Sequence, residues 1–290
     1  MTSNLSRVLV PLDGSPTAEA ILSHLRRVVR RHESELVLLH AIPFVPSGAD
    51  DDIEKYLRRV SFQLTNDGYP SRYVIRRGIA AETILDAAAQ EGATTIAMTT
   101  HGRTGAARWV MGSVAEKVLQ GSPQPVLVTR SFPATQSRGK LESRPIRNII
   151  VPLDGSRFSL AVLDPLLEFV RPADAHVHLL HVTEPTPYDG RWEIADESLK
   201  EADHTLREAC VPASIDQRKG DPGEEILKAA AEMDADLIAM TTHGRSGPSR
   251  WVFGSVTAKV LRSAPVPLLV VRHPVAAAHR SSASMGTSAS

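Results

Sequence analysis

MTTHGRTGAARWVMGSVAEKVL, Met98–Leu119, returns later in the chain as MTTHGRSGPSRWVFGSVTAKVL, Met240–Leu261. In each copy an apolar run ends in Thr-Thr-His-Gly-Arg, and a Gly-Ser pair opens a segment of helical spacing. Nine residues separate Gly102 from Gly112, and nine separate Gly244 from Gly254. A strand, a glycine-bearing loop and a helix in that order are the unit of a parallel α/β sheet, in which the loop lies at the carboxyl edge where ligands bind. The duplication extends outward. RVLVPLDGS at Arg7 pairs with NIIVPLDGS at Asn148, LVLLHAI at Leu36 with VHLLHVT at Val177, and QPVLVTR at Gln124 with VPLLVVR at Val266. Asp13 and Asp154 stand 141 residues apart, and Gly102 and Gly244 stand 142 apart. One inserted residue across a whole half indicates a duplicated domain rather than a short-period solenoid.

Within the first copy, Val8–Leu12, Leu36–Ile42, Tyr73–Arg77, Thr95–Thr99 and Val126–Thr129 are short runs without polar alternation, as expected of strands buried on both faces. Between them Thr17–Arg31, Asp51–Asn66, Ala81–Gln90 and Val114–Gln120 have helical spacing, with Ala18, Ile21, Leu22, Leu25, Val28 and Val29 along one face of the first. The alternation predicts a parallel sheet with helices on both sides and right-handed crossovers. The expected division is residues 1–132, a linker at 133–145 rich in polar residues and proline, a second domain at 146–273, and a small polar tail at 274–290.

Lys plus Arg and Asp plus Glu each total 33, so the bulk charge directs the chain to neither nucleic acid nor an anionic membrane. Any anion site must be local. Cys210 is the single cysteine, which excludes an intrachain disulfide and reads as a small, partly buried residue closing a helix. No apolar run approaches the roughly 18 residues of a membrane helix, and the segment MTSNLSRVLVPLDGS lacks a signal-peptide pattern, so a cytoplasmic location is expected.

Several side chains could carry chemistry. Asp13 and Asp154, with Ser15 and Ser156, follow the first strand of each copy. There a carboxylate could accept from a sugar hydroxyl or an amine, while an Asp or Ser ahead of a helix is equally a cap. Gly102 and Gly112, like Gly244 and Gly254, let backbone approach a phosphate. The helix opening at Ser113-Val114, or at Ser255-Val256, offers free N–H groups, and Arg103 and Arg245 stand beside them. His101 and His243 lack a nucleophile or metal-ligand spacing around them, which favours a hydrogen-bonding or spacing role over general base. His40 and His181 end apolar strands and read as satisfied near-core histidines, and Trp109 and Trp251 read as packing of the loop. No G-x-G-x-x-G follows the first strand, which disfavours a dinucleotide oxidoreductase.

Taken together, VPLDGS, a strand ending in LHAI or LHVT, the THGR loop, the nine-residue spacer to Gly-Ser and the closing PVLVTR or PLLVVR strand resemble the universal stress protein family. The likeness spans nearly all of residues 7–130 and 147–272, so the chain resembles a tandem member. The resemblance implies two Rossmann-like α/β domains of the adenine nucleotide alpha hydrolase-like type. Each is expected to be a five-stranded parallel sheet of order 3-2-1-4-5, and the domains are expected to pair through their last strands. It also implies ATP near Pro11, Asp13, Ser15 and Ala41, with phosphates near Thr99, His101, Gly102, Arg103, Gly112, Ser113 and Val114. The second copy matches with Pro152, Asp154, Ser156, Val182, Thr241, His243, Gly244, Arg245, Gly254, Ser255 and Val256. Magnesium or manganese would accompany the triphosphate, although no dedicated protein cage is visible.

One departure from the family pattern is that Thr99 and Thr241 stand where the motif has its first glycine. A side chain there either crowds the nucleotide or fills the strand end. The expected function is nucleotide-dependent regulation of a stress response without a catalytic set. The alternatives are an interaction protein without nucleotide and a slow ATPase, and a homodimer through the remaining surfaces stays open.

Overall fold

The computed structural model describes residues 5–44, 50–100, 111–130, 145–170, 174–184, 192–242 and 253–272. The first half runs β1 (Arg7–Pro11), α1 (Pro16–Val28), β2 (Glu35–Ile42), α2 (Asp50–Asn66), β3 (Ser71–Arg77), α3 (Ala80–Gln90), β4 (Thr95–Thr99), α4 (Ser113–Gly121) and β5 (Val126–Thr129). The second runs β6 (Asn148–Pro152), α5 (Arg157–Leu160), α6 (Leu163–Phe169), β7 (His176–Thr183), α7 (Trp192–Glu208), β8 (Ala213–Lys219), α8 (Pro222–Glu232), β9 (Leu237–Thr241), α9 (Ser255–Ser263) and β10 (Leu268–Val271). The fold is α/β with a mostly parallel sheet, built twice in tandem.

The strands form a single sheet of order β3-β2-β1-β4-β5-β10-β9-β6-β7-β8. Every neighbouring pair is parallel except β5 with β10, where Leu269 lies opposite Leu127 in antiparallel register. The central strands are buried throughout, β4 and β9 at all five positions, which is why their sequences lack alternation. One apolar layer lies under α1, α2 and α5–α7, through Ile21, Leu57, Leu166 and Leu206. The other lies under α3, α4, α8 and α9, through Ile84, Val118, Ile226 and Val260. Both layers run across the two halves.

The halves differ where proline intervenes. Helix α1 is continuous, whereas its counterpart is split into α5 and α6 at Ala161-Val162. Pro165 has no N–H to offer the carbonyl of Ala161 and its ring clashes there, so the helix restarts. Helix α1 also ends at Val28, three residues short of the sequence expectation. Val29 turns extended and His32 adopts φ 64°, its N–H donating to the Gly68 carbonyl at 2.9 Å. Cys210 is exposed rather than partly buried. It occupies the left-handed position after α7, at φ 57°, where its N–H meets the Arg207 carbonyl while Val211 takes the buried place. Among the described residues no helix is long and apolar enough to cross a membrane.

Candidate functional site

A strand order that runs outward from β1 to β3 on one side and through β4 and β5 on the other leaves a crevice where β1 and β4 diverge at their carboxyl ends. The loop after β1 builds the first wall. Leu12 N–H donates to the Leu39 carbonyl at 2.8 Å, extending the strand by one bond, and Gly14 then turns with φ 82°, which only glycine adopts freely. That turn places Ser15 at the N-cap of α1. Its Oγ accepts from Ala18 N–H at 3.1 Å and donates to Asp13 Oδ1 at 2.6 Å, and Asp13 Oδ1 also accepts from Ser15 N–H at 3.0 Å. The cap is thus the serine, and the aspartate orients it. The second half repeats the device, with Ser156 donating to Asp154 Oδ1 at 2.6 Å and accepting from Ser159 N–H at 3.3 Å.

The opposite wall comes from the return of the chain after β4. Thr100 N–H donates to Thr129 O at 2.9 Å and Gly112 N–H to Thr100 O at 2.8 Å, which hangs the start of α4 from the strand end. Gly112 is the N-cap of α4 and supplies no side-chain acceptor. The first N–H groups of this helix therefore face the crevice with the positive end of its dipole and no side-chain cap. Gly254, at the start of α9, is arranged alike, its N–H donating to Thr242 O at 3.2 Å.

Between these walls lies a cavity of about 290 Å³, near the lower end of ligand pockets at roughly 300–1,000 Å³. Pro11, Leu12 and Asp13 line it from the end of β1 and the turn after it, Leu39 and Ala41 from β2, and Met98, Thr99 and Thr100 from the end of β4 and the residue after it. Gly112, Ser113, Val114 and Ala115 line it from α4, with Ala80 and Ile84 of α3 and Ala18 of α1. Seven residues singled out in the first copy therefore share one space: Pro11, Asp13, Ala41, Thr99, Gly112, Ser113 and Val114. Ser15 caps α1 beside it. His101, Gly102 and Arg103 lie outside the described residues, as do His243, Gly244 and Arg245. Thr99 is 6% exposed and lines the cavity at the end of β4; Thr241, at the end of β9, is likewise buried.

In the second half Pro152 ends β6, Val182 lies near the end of β7, and Ser255 and Val256 open α9. The apolar walls Leu39, Ile84 and Ala115 were not singled out from sequence, because core-facing strand and helix positions look alike whether they meet another side chain or a hollow. His181, 4% exposed, accounts for its Nδ1 through the Leu153 carbonyl at 2.7 Å.

These features define a tandem, doubly wound α/β protein with a cavity at the strand switch point of its first half. The sequence pattern of the Universal stress protein family matches residues 4–130 and 145–272, and the chain belongs to that family. Universal stress protein MJ0531 of Methanocaldococcus jannaschii is 32% identical over 141 residues, covering 44% of this chain and 83% of that protein. A universal stress protein of Mycolicibacterium smegmatis is 24% identical over 293 residues, covering 91% of this chain and 96% of that one. Among solved structures, a universal stress protein from Archaeoglobus fulgidus DSM 4304 superposes with a TM-score of 0.73 at 21% identity. It covers 94% of this chain and all of its own, and shares the fold.

Proposed function

We propose that this universal stress protein binds ATP in its crevice and that occupancy, rather than turnover, is its signal in a cytoplasmic stress response. The observation that carries the reading is the convergence of Asp13 and Ala41 with Gly112, Ser113 and Val114 on one cavity. In this reading the adenine enters between the ends of β1 and β2. Asp13 accepts from a ribose hydroxyl, and the first turn of α4 with the Ser113 hydroxyl receives the phosphates. Gly102 and Arg103 complete the phosphate seat. Among the described residues no three His, Cys, Asp or Glu side chains stand together as a metal site. In this reading Mg2+ or Mn2+ accompanies the triphosphate. The two domains, 1–132 and 146–273, work as a pair joined through β5 and β10.

Calorimetric titration of the full chain with ATP tests the reading, with Ser113→Asp as the diagnostic variant. A carboxylate at the first position of α4 suits the helix dipole and leaves the fold intact, but it repels an incoming phosphate. Affinity is expected to fall roughly tenfold or more, about 1.4 kcal/mol, with an unchanged or higher melting temperature. A protein that gives no heat at millimolar ATP, or a variant that binds as well as the parent, would sink the reading.

A further inference from the structure

We infer that the two crevices are unequal: the first half carries the nucleotide seat, and the second is filled by its own side chains, so that the chain takes one nucleotide. This inference rests on the reading of the crevice as a nucleotide site and concerns which half performs it. The residues lining the cavity can be matched between halves through the structure. Pro11 pairs with Leu39 and Pro152 with Leu180, so Ala41 corresponds to Val182 two residues further on. The cap serines accept from Ala18 N–H and Ser159 N–H. Helices α3 and α8 begin at Ala80 and Pro222, and the third residues of α4 and α9 are Ala115 and Thr257.

Eleven of the fifteen lining positions carry the same residue in both halves. The four that differ all differ in one direction. Each is alanine in the first half and a larger residue in the second: Ser159, Val182, Pro222 and Thr257. The structure shows where the added atoms go. Thr257 is 4% exposed and its Oγ1 donates to Thr241 O at 3.1 Å, under the first turn of α9. Val182, near the end of β7, packs against the apolar layer under α3, α4, α8 and α9. Ser159, also 4% exposed, turns its Oγ to the Ser156 carbonyl at 2.7 Å.

A second difference acts on the same gap between helices. Lys259 of α9 reaches across to α8, its Nζ 2.8 Å from Asp221 and 2.9 Å from Glu224. Its stem lies so close over Gly223 that a Cβ there would stand 2.6 Å from the lysine Cδ. In the first half Ile79 stands in place of Asp221 and Ala81 in place of Gly223, so Glu82, the match of Glu224, is the one acid left opposite Lys117 and the two-acid clasp is lost. The clasp thus adds a two-acid ion pair between α8 and α9 on the rim of the second crevice.

Titration of the full chain with ATP, read as stoichiometry, tests this against reciprocal variants. The parent is expected to bind one ATP per chain. Ala41→Val/Ala115→Thr, which writes the second half's side chains into the first, is expected to weaken that site roughly tenfold or more, because a packed wall has no room for added methyl groups. Val182→Ala/Thr257→Ala is expected to add a second, weaker site. Circular dichroism melts verify that each variant is folded. Two equal sites in the parent, or an Ala41→Val/Ala115→Thr chain that binds as before, would overturn the inference and leave the nucleotide reading standing. Absence of any heat would overturn that reading, and this inference with it.

Discussion

Replacing Asp236 by alanine is expected to cost about 3–5 kcal/mol, the range for leaving one member of a buried ion pair alone. Asp236 and Arg27 are 5% and 4% exposed at their side chains, and Arg27 Nη2 lies 2.6 Å from Asp236 Oδ1. The second oxygen, Oδ2, accepts from the backbone N–H groups of Arg147 at 2.9 Å and Asn148 at 3.1 Å. Alanine would take the carboxylate away from a desolvated guanidinium and from two backbone donors together. The pair also crosses the molecule, from α1 of the first half to the turn before β9 in the second. The counterpart of Asp236 is Thr94, whose hydroxyl accepts from the Arg7 N–H at 3.3 Å and donates to the Arg7 carbonyl at 2.9 Å. A threonine carries no charge, so the matching place in the first half cannot hold an ion pair of this kind. Denaturant midpoints of Asp236→Ala and of Arg27→Met/Asp236→Ala provide the check. The single variant should be the less stable of the two, since the double also removes the buried charge that has lost its carboxylate. A single variant within 1 kcal/mol of the parent would show that the bridge contributes nothing.

Acid is expected to weaken the fold between about pH 6.5 and pH 4, well before the carboxylates are titrated out. Burial first, and the neighbouring Arg27 charge second, push His24 down from 6.5 to about 4. Its Nδ1 is enclosed and makes no hydrogen bond. The folded-state value lies below that of the unfolded chain, so the unfolded chain takes the proton first. The contribution is complete above pH 6.5 and is lost as pH falls through the window, to a total of about 3 kcal/mol. His178 is lowered in the same sense, by burial and then by His176, and adds to the slope. Urea midpoints of the parent and of His24→Leu at pH 7.5 and pH 5 decide the matter. The parent should lose stability over that interval and the variant should lose much less; equal slopes would remove His24 as the cause.

The parallel strands were legible because strands buried on both faces leave uninterrupted apolar runs, and their observed bounds fall within two residues of those read for the first copy. Helix ends were less so. The stop of α1 at Val28 depends on His32 reaching Gly68, a contact set by the turn after α2 rather than by local sequence. Likewise the loop chemistry of VPLDGS left cap and ligand open, and only the turn at Gly14 assigns the capping bond to Ser15 and the orienting bond to Asp13. The repeat made the matching of halves readable. What it concealed were the differences that matter at the crevice, since an alanine changed to threonine in a helix alters no periodicity. The Arg27–Asp236 bridge, between residues 209 apart in sequence, had no local signature at all.

The antiparallel seam of β5 and β10 joins two edges that would otherwise seek partners. Because both edges belong to one polypeptide, their meeting is unimolecular, governed by an effective concentration that the tether sets and that dilution leaves unchanged. A family member built as separate domains must hold its protomer concentration above a dissociation constant to keep such a seam closed. This chain keeps its seam at any copy number in the cell, and can lose the symmetry of its halves without losing their union.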